Sequence, residues 1–191
     1  NTGMSSFTFG AASALTVIGS SVFSSTGLTT ITIPDNVTII GSGAFSSCTS
    51  LKTVYFDYSK SKLTTIGSQA FSSCRNIVGI SIPETVTTIG WKAFTNCYGL
   101  KAVYVSCSSA ANIDSLAFYQ ASGLVSIGLP PSVTFTGSPP RLTNCAITGG
   151  VPLPLLDANG HLEIPEGTLF VPNPYYGSSA LKSVRIPSTV T

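Results

Sequence analysis

The sequence predicts a mainly-β repeat solenoid of about eight stacked turns, with one parallel strand per repeat and short helical or 3-10 turns between strands. Three observations lead there. A unit of roughly 23 residues recurs along the chain, most clearly from Leu28 to Ser50 as LTTITIPDNVTIIGSGAFSSCTS. Charged residues make up only 8% of the 191 positions, against roughly 25% in ordinary soluble domains. Polarity therefore rests on Ser, Thr, Gly and Pro. Mean hydropathy is +0.40, yet no apolar run approaches the roughly 20 residues of a membrane-crossing helix. The apolar residues must be spread through a periodic fold, and no membrane span is expected.

The repeat can be written L-x-x-I-x-I-P-x-x-V-x-x-I-G-x-x-A-F-x-x-C-x-x. It recurs from Leu51 as LKTVYFDYSKSKLTTIGSQAFSSCRN and from Ile77 as IVGISIPETVTTIGWKAFTNCYG. Looser copies start at Leu100 and Leu124. Met4-Ser-Ser-Phe7-Thr-Phe9-Gly10 aligns with the opening of the unit, as do Thr148 to Pro154 and Leu181 to Pro187. Repeat starts thus fall at 4, 28, 51, 77, 100, 124, 148 and 181, all within one solenoid domain over residues 1–191. The wide spacing between the last two starts implies an irregular insertion at about 155–161.

Each part of the unit has a physical reading. In L-x-x-I-x-I the last two apolar residues sit two apart, the period of a strand with one buried face. This predicts Ile31, Ile33, Val54, Phe56, Ile80, Ile82, Val103 and Val105 buried, with Thr30, Thr32, Tyr55 and Tyr104 exposed. Pro34, Pro83, Pro130, Pro154 and Pro187 end the strand, because proline cannot donate to a ladder. The V-x-x-I-G stretch reads as a corner, with Gly19, Gly41, Gly67 and Gly90 where positive φ or close packing is needed. Phe23, Phe45, Phe71, Phe94 and Phe118 should form a buried aromatic ladder rather than a cofactor box. One unit cannot bury its own apolar face, but stacked neighbours can.

These residues resemble the BspA-like branch of the leucine-rich repeats, a family marked by tandem I-P, I-G and A-F-x-x-C motifs. The match spans nearly the whole chain. It departs from the commoner L-x-x-L-x-L-x-x-N pattern in placing Pro after the strand and in lacking an Asn ladder. The resemblance implies a secreted or cell-surface protein, and many members of the family are regarded as adhesins. Fold alone does not fix function.

Candidate chemistry is sparse. Cys48, Cys74, Cys97 and Cys145 share one repeat position and Cys107 lies off it. Rungs about 4.8 Å apart would permit disulfides by distance. Side chains in register point the same way, however, and free Cys is among the most buried residue types, so buried free thiols are expected. No C-x-x-C or matching His suggests zinc. His161 is the single histidine, near Glu163 and Glu166, with no nucleophile at informative spacing. It reads as part of an exposed loop, and neither a catalytic residue nor a metal site nor a cofactor is expected. Lys and Arg number 9 against 7 Asp and Glu, a net charge of +2, and no basic patch is dense enough for nucleic acid. Residue 1 is Asn without a charged n-region behind it, so the chain reads as a mature product or a fragment.

The expected function is a non-catalytic extracellular interaction module with protein partners. One version is a structural subunit that stacks head to tail with copies of itself, favoured by the low charge. Leu181 to Thr191 opens an unfinished repeat, so Val184 and Ile186 would meet Phe7 and Phe9 of the next copy. The other version is an adhesin or recognition domain that uses the concave sheet face. There Lys52, Tyr55, Lys101, Tyr104, Lys182 and Arg185 are the contact candidates. Asn36-Val37-Thr38 is an N-glycosylation sequon, so a glycan at Asn36 is a further expectation.

Overall fold

The computed structural model describes residues 3–10, 13–105, 111–124, 126–129 and 133–137, together with the strand backbones 146–149, 161–163 and 183–185. The strand predicted in the repeats that start at 28, 51, 77, 100 and 124 is present as β2 (Thr30–Thr32), β4 (Thr53–Tyr55), β6 (Gly79–Ile82), β8 (Ala102–Val105) and β10 (Ser126–Leu129). Met4 to Gly10 forms no strand, and β12 (Ala146–Gly149) pairs Ile147 with Ile127, ahead of the strand position expected from a start at 148. These strands pair in parallel, β2 with β4, and β6, β8, β10 and β12 in that order. The ladder breaks between β4 and β6. There the third repeat carries the extra residues Asp57 to Lys60, held by a hydrogen bond from Ser59 Oγ to Asp57 (2.7 Å) and an Asp57–Lys60 ion pair (3.1 Å).

Two expectations require correction. Each turn carries two strands, not one, because V-x-x-I-G is itself a strand rather than a corner. A six-stranded parallel sheet runs through β1 (Val17–Ile18), β3 (Ile39–Ile40), β5 (Thr65–Ile66), β7 (Thr88–Ile89), β9 (Asn112–Asp114) and β11 (Thr134–Thr136). This column marks about five full turns. The eight expected are not established, since beyond Gly137 only three strands are described: β12, which pairs with β10, and β13 (His161–Glu163) and β14 (Ser183–Arg185), which pair with each other.

The second correction concerns the A-F segment, which is not helical; no helix occurs among the described residues. Residues of this wall direct their amides along the stack. Phe45 N donates to Ala70 O (2.8 Å), Phe71 N to Ala93 O (2.8 Å) and Phe94 N to Ala117 O (2.7 Å). Left-handed backbone at Ser47, Ser73 and Asn96 (φ 58 to 60°) interrupts any helical run. A helix would instead turn those amides back along its own chain.

The buried set matches the strand reading. All eight residues expected inside are at most 8% exposed. The phenylalanines stack face to face from Phe23 to Phe118 at 5.2 to 5.4 Å between centroids. The glycines after the second strand are set by close packing rather than by φ. A Cβ on Gly67 would lie 2.9 Å from backbone atoms of Ile40, Gly41 and Ser42 in the preceding turn.

Candidate functional site

The cysteine column is structural. Cys48, Cys74 and Cys97 are free and fully buried. Each thiol donates to the carbonyl of the Phe one turn earlier: Cys48 to Phe23 (2.9 Å), Cys74 to Phe45 (3.1 Å) and Cys97 to Phe71 (3.1 Å). Burial pushes the Cys97 thiol up to about 12 and raises Cys74 well above the ordinary range. Thiolates, the reactive species, are thereby suppressed. Cys107 and Cys145 lie outside the described residues.

His161 opens strand β13, whose backbone pairs with β14 in the register His161↔Ser183, Leu162↔Val184 and Glu163↔Arg185. The expected insertion otherwise lies outside the described residues, as does Glu166. No group of three or more His, Cys, Asp or Glu fit for a metal occurs among the described residues.

The strand face is less open than its alternation suggested. Thr30, Thr32, Lys52 and Lys101 are exposed, but Tyr55 and Tyr104 are half-buried. Ser81 and Ala102, which should also face outward, are 5% and 0% exposed. Tyr104 leans across its neighbour: a Cβ on Gly128 would sit 3.1 Å from its ring. Arg185 is placed on β14 by its backbone, and Lys182 lies outside the described residues.

Phe7, 38% exposed, and half-buried Phe9 lie at the first-turn end of the aromatic stack. Phe7 and Phe9 pack edge to face with each other (4.9 Å) and on Phe23 (4.9 and 6.1 Å), so they cap the aromatic stack. Val184 lies on β14, and Ile186 is outside the described residues. Asn36 is half-buried; its Nδ2 donates to Ser13 O (3.2 Å) and its Oδ1 accepts from Lys62 Nζ (2.9 Å).

A surface that sequence reasoning missed lies on the A-F wall. Ser20, Ser42 and Ser68 follow the glycine in three turns, but Trp91 takes that place after Gly90. Tyr119 replaces the Ser or Thr found at Ser46, Ser72 and Thr95, and Tyr98 follows Cys97 where Arg75 follows Cys74. Trp91, Tyr98 and Tyr119 are 43%, 45% and 46% exposed. Lys92 Nζ lies 4.5 Å from the Trp91 ring centroid and 5.2 Å from that of Tyr119, and the Arg75 guanidinium is 5.7 Å from Tyr98. The signal was present as GWKAF against GSGAF and GSQAF, an aromatic where the earlier turns carry Ser.

Solved structures share this fold. A leucine-rich repeat protein of T. pallidum superposes with a TM-score of 0.54 at 21% identity, covering 89% of this chain and 62% of its own. The pneumococcal vaccine antigen PcpA gives 0.56 at 20% identity, covering 85% and 52%. A leucine-rich repeat protein of Eubacterium ventriosum gives 0.52 at 21% identity, covering 87% and 41%. The chain thus spans less than two thirds of the length of each of these proteins. No curated protein matches it. The model of the BspA type leucine rich repeat region matches residues 16–145 in six copies. That span holds the paired strand columns, the phenylalanine stack and the thiol row, and by it the chain belongs to the BspA-type leucine-rich repeats.

Proposed function

We propose that the chain is a non-catalytic protein-interaction module, secreted or displayed at a cell surface, whose A-F wall around Trp91, Lys92 and Tyr119 makes the contact with a protein partner, as in an adhesin. The observation that carries this is the gathering of three exposed aromatics and two cations on one stretch of the wall, where the other turns carry Ser, Thr or Gly at most of the matching positions. Trp, Tyr and Arg are the residue types enriched where binding energy concentrates. Rings already flanked by Lys92 and Arg75 are also held in position, which lowers the ordering cost of association. The strand face offers mainly exposed Thr and two half-buried tyrosines, a weaker anchor set.

The test is binding of the purified protein to a panel of immobilised matrix proteins, compared with Trp91→Ser/Tyr119→Ser. Other turns carry Ser or Thr at these places, so the variant should fold. At least a tenfold loss of binding by the variant is expected. Equal binding by both, with loss in Tyr55→Ser/Tyr104→Ser, would move the site to the strand face.

A second reading, head-to-tail stacking of copies, draws support from the 8% charge, which leaves much surface for neighbours to cover. Phe7 packs on Phe23 yet stays 38% exposed, so it remains open to an end contact. Sedimentation of the wild type and of Val184→Lys/Ile186→Lys tests it: assembly lost in the variant supports stacking, and a monomeric wild type ends it.

A further inference from the structure

Arg75 and Lys92 have no counter-charge on the wall that displays them. The A-F segments 20–27, 42–50, 68–76, 91–99 and 115–123 hold these two cations and not one Asp or Glu. Among the described residues the ion pair is Lys60 with Asp57, and neither Arg75 nor Lys92 takes part in one. The acid nearest in sequence to these segments, Asp114, is half-buried and already engaged. Its Oδ1 accepts from Leu116 N (2.9 Å) and its Oδ2 from Thr136 Oγ1 (3.5 Å). The two cations face rings instead: Lys92 Nζ lies 4.5 and 5.2 Å from the centroids of Trp91 and Tyr119, and the Arg75 guanidinium 5.7 Å from Tyr98. A ring quadrupole attracts a cation without neutralising it, so both charges stay available to an anion. Leu116, 40% exposed, adds an aliphatic side chain to the same stretch.

We infer that the partner bound here is a protein segment carrying carboxylates on either side of an apolar side chain. The inference rests on the reading of this wall as the contact surface and supplies the chemistry of what it contacts. Charge complementarity fixes the sign, since two unpaired cations steer an acidic partner inward and repel a basic one. Trp91, Tyr119 and Leu116 call for the apolar side chain, because an anion alone would leave their exposed area in water. A sulfated glycan would neutralise the cations and still leave that area wet. A second copy fits poorly: the chain carries a net +2, and Asp35, Asp57 and Glu84 stand in separate turns. Arg75, Lys92 and Tyr119 belong to three successive turns, about 10 Å from first to last at the spacing of paired strands. An extended segment rises about 3.3 Å per residue, so about four or five residues cross the patch. Side chains on one face of it alternate, which places each carboxylate two residues from the apolar group.

The experiment titrates a labelled Glu-Ser-Phe-Ser-Glu peptide by fluorescence anisotropy, with Gln-Ser-Phe-Ser-Gln as the neutral control. Trp91 is the single tryptophan, so a change in its emission reports occupancy of the patch itself. At about 0.01 M salt, where screening extends about 30 Å, the Glu peptide should bind at least tenfold tighter than the Gln peptide and shift the Trp91 emission. The preference should vanish at about 1 M salt, where screening extends about 3 Å. Lys92→Gln/Arg75→Thr installs the residues that other turns carry at these places, Gln69 and Thr49, so the variant should fold. It should bind the two peptides equally. Trp91→Ser/Tyr119→Ser should weaken both peptides. Equal binding of the two peptides by the wild type, or no binding of the Glu peptide, would overturn the inference. So would a preference that survives in Lys92→Gln/Arg75→Thr; if Trp91→Ser/Tyr119→Ser still loses binding, the wall stands as the contact surface and only the acidic partner falls. A sulfated hexasaccharide that binds tighter than the Glu peptide would overturn it in favour of a glycan. Concentration-dependent dimers abolished by Lys92→Gln/Arg75→Thr would overturn it in favour of a second copy.

Discussion

Phe45 and Phe71 lie face to face, 5.2 Å between ring centroids and 4° from parallel. The stack is imposed by the backbone, because Phe45 N donates to Ala70 O and Phe71 N to Ala93 O, which holds successive rings at the turn-to-turn spacing. Aromatic pairs contribute about 0.5–1.5 kcal/mol beyond their burial. A double-mutant cycle of Phe45→Leu and Phe71→Leu in chemical denaturation should therefore return a coupling of about 1 kcal/mol. Strictly additive losses would show that the rings contribute only as apolar volume.

Gly67 should tolerate no side chain. A Cβ there would sit 2.9 Å from three backbone atoms of the turn before it, and backbone cannot swing aside. Gly67→Ala is expected to destabilise the protein by about 1–3 kcal/mol, the usual cost of overpacking. Gly10→Ala, where nothing lies within 4 Å, should stay within about 0.5 kcal/mol of the parent. Equal effects at the two sites would mean that the turns can spread.

The contrast between these glycines also shows what the sequence could and could not convey. The burial of Ile31, Ile33, Ile80 and Ile82 was legible, because a two-residue period along a strand has one physical meaning. The second strand column was not. Ile39–Ile40 and Thr65–Ile66 are each only two residues long, too short to display a period. The short helical or 3-10 turns expected near the A-F positions do not form. What breaks the helix is left-handed backbone at Ser47, Ser73 and Asn96, residue types that do not announce it as glycine does. The aromatic patch escaped notice for a different reason. A repeat unit is defined by what recurs, and Trp91 departs from it.

The thiol row should be inert in the folded state. Desolvation raises Cys74 and Cys97, and their S–H groups are engaged with Phe carbonyls one turn away. Iodoacetamide at pH 8 should leave Cys48, Cys74 and Cys97 unmodified in the native protein and alkylate all three in denaturant, as read by peptide mass spectrometry. The sign with pH follows from the raised values. Their contribution to stability is complete below the unfolded thiol value of about 8.5 and declines above it, as the unfolded chain ionises first. Rapid native alkylation of Cys74 would contradict the tight packing of this wall.

Tyr58 offers a cleaner alkaline probe. Its hydroxyl donates to Ser81 O across 3.0 Å, tying the extra residues of the third repeat to β6, where the strand ladder is interrupted. Burial is the main cause raising its phenol well above the ordinary value. Tyr58→Phe deprives the Ser81 carbonyl of this donor, a change expected to cost about 1–3 kcal/mol at pH 8. Above the unfolded tyrosine value of about 10, the unfolded wild type loses its proton before the folded one does. The wild type therefore loses up to about 1.4 kcal/mol of stability per pH unit there, reduced to the extent that water reaches the ring. Tyr58→Phe carries no such loss. The gap between the two proteins should accordingly be widest at pH 8 and narrow by pH 11, measured by denaturation at both values. A gap that stays constant would show that the phenol ionises as readily folded as unfolded, and that the Ser81 contact does not hold this loop to β6.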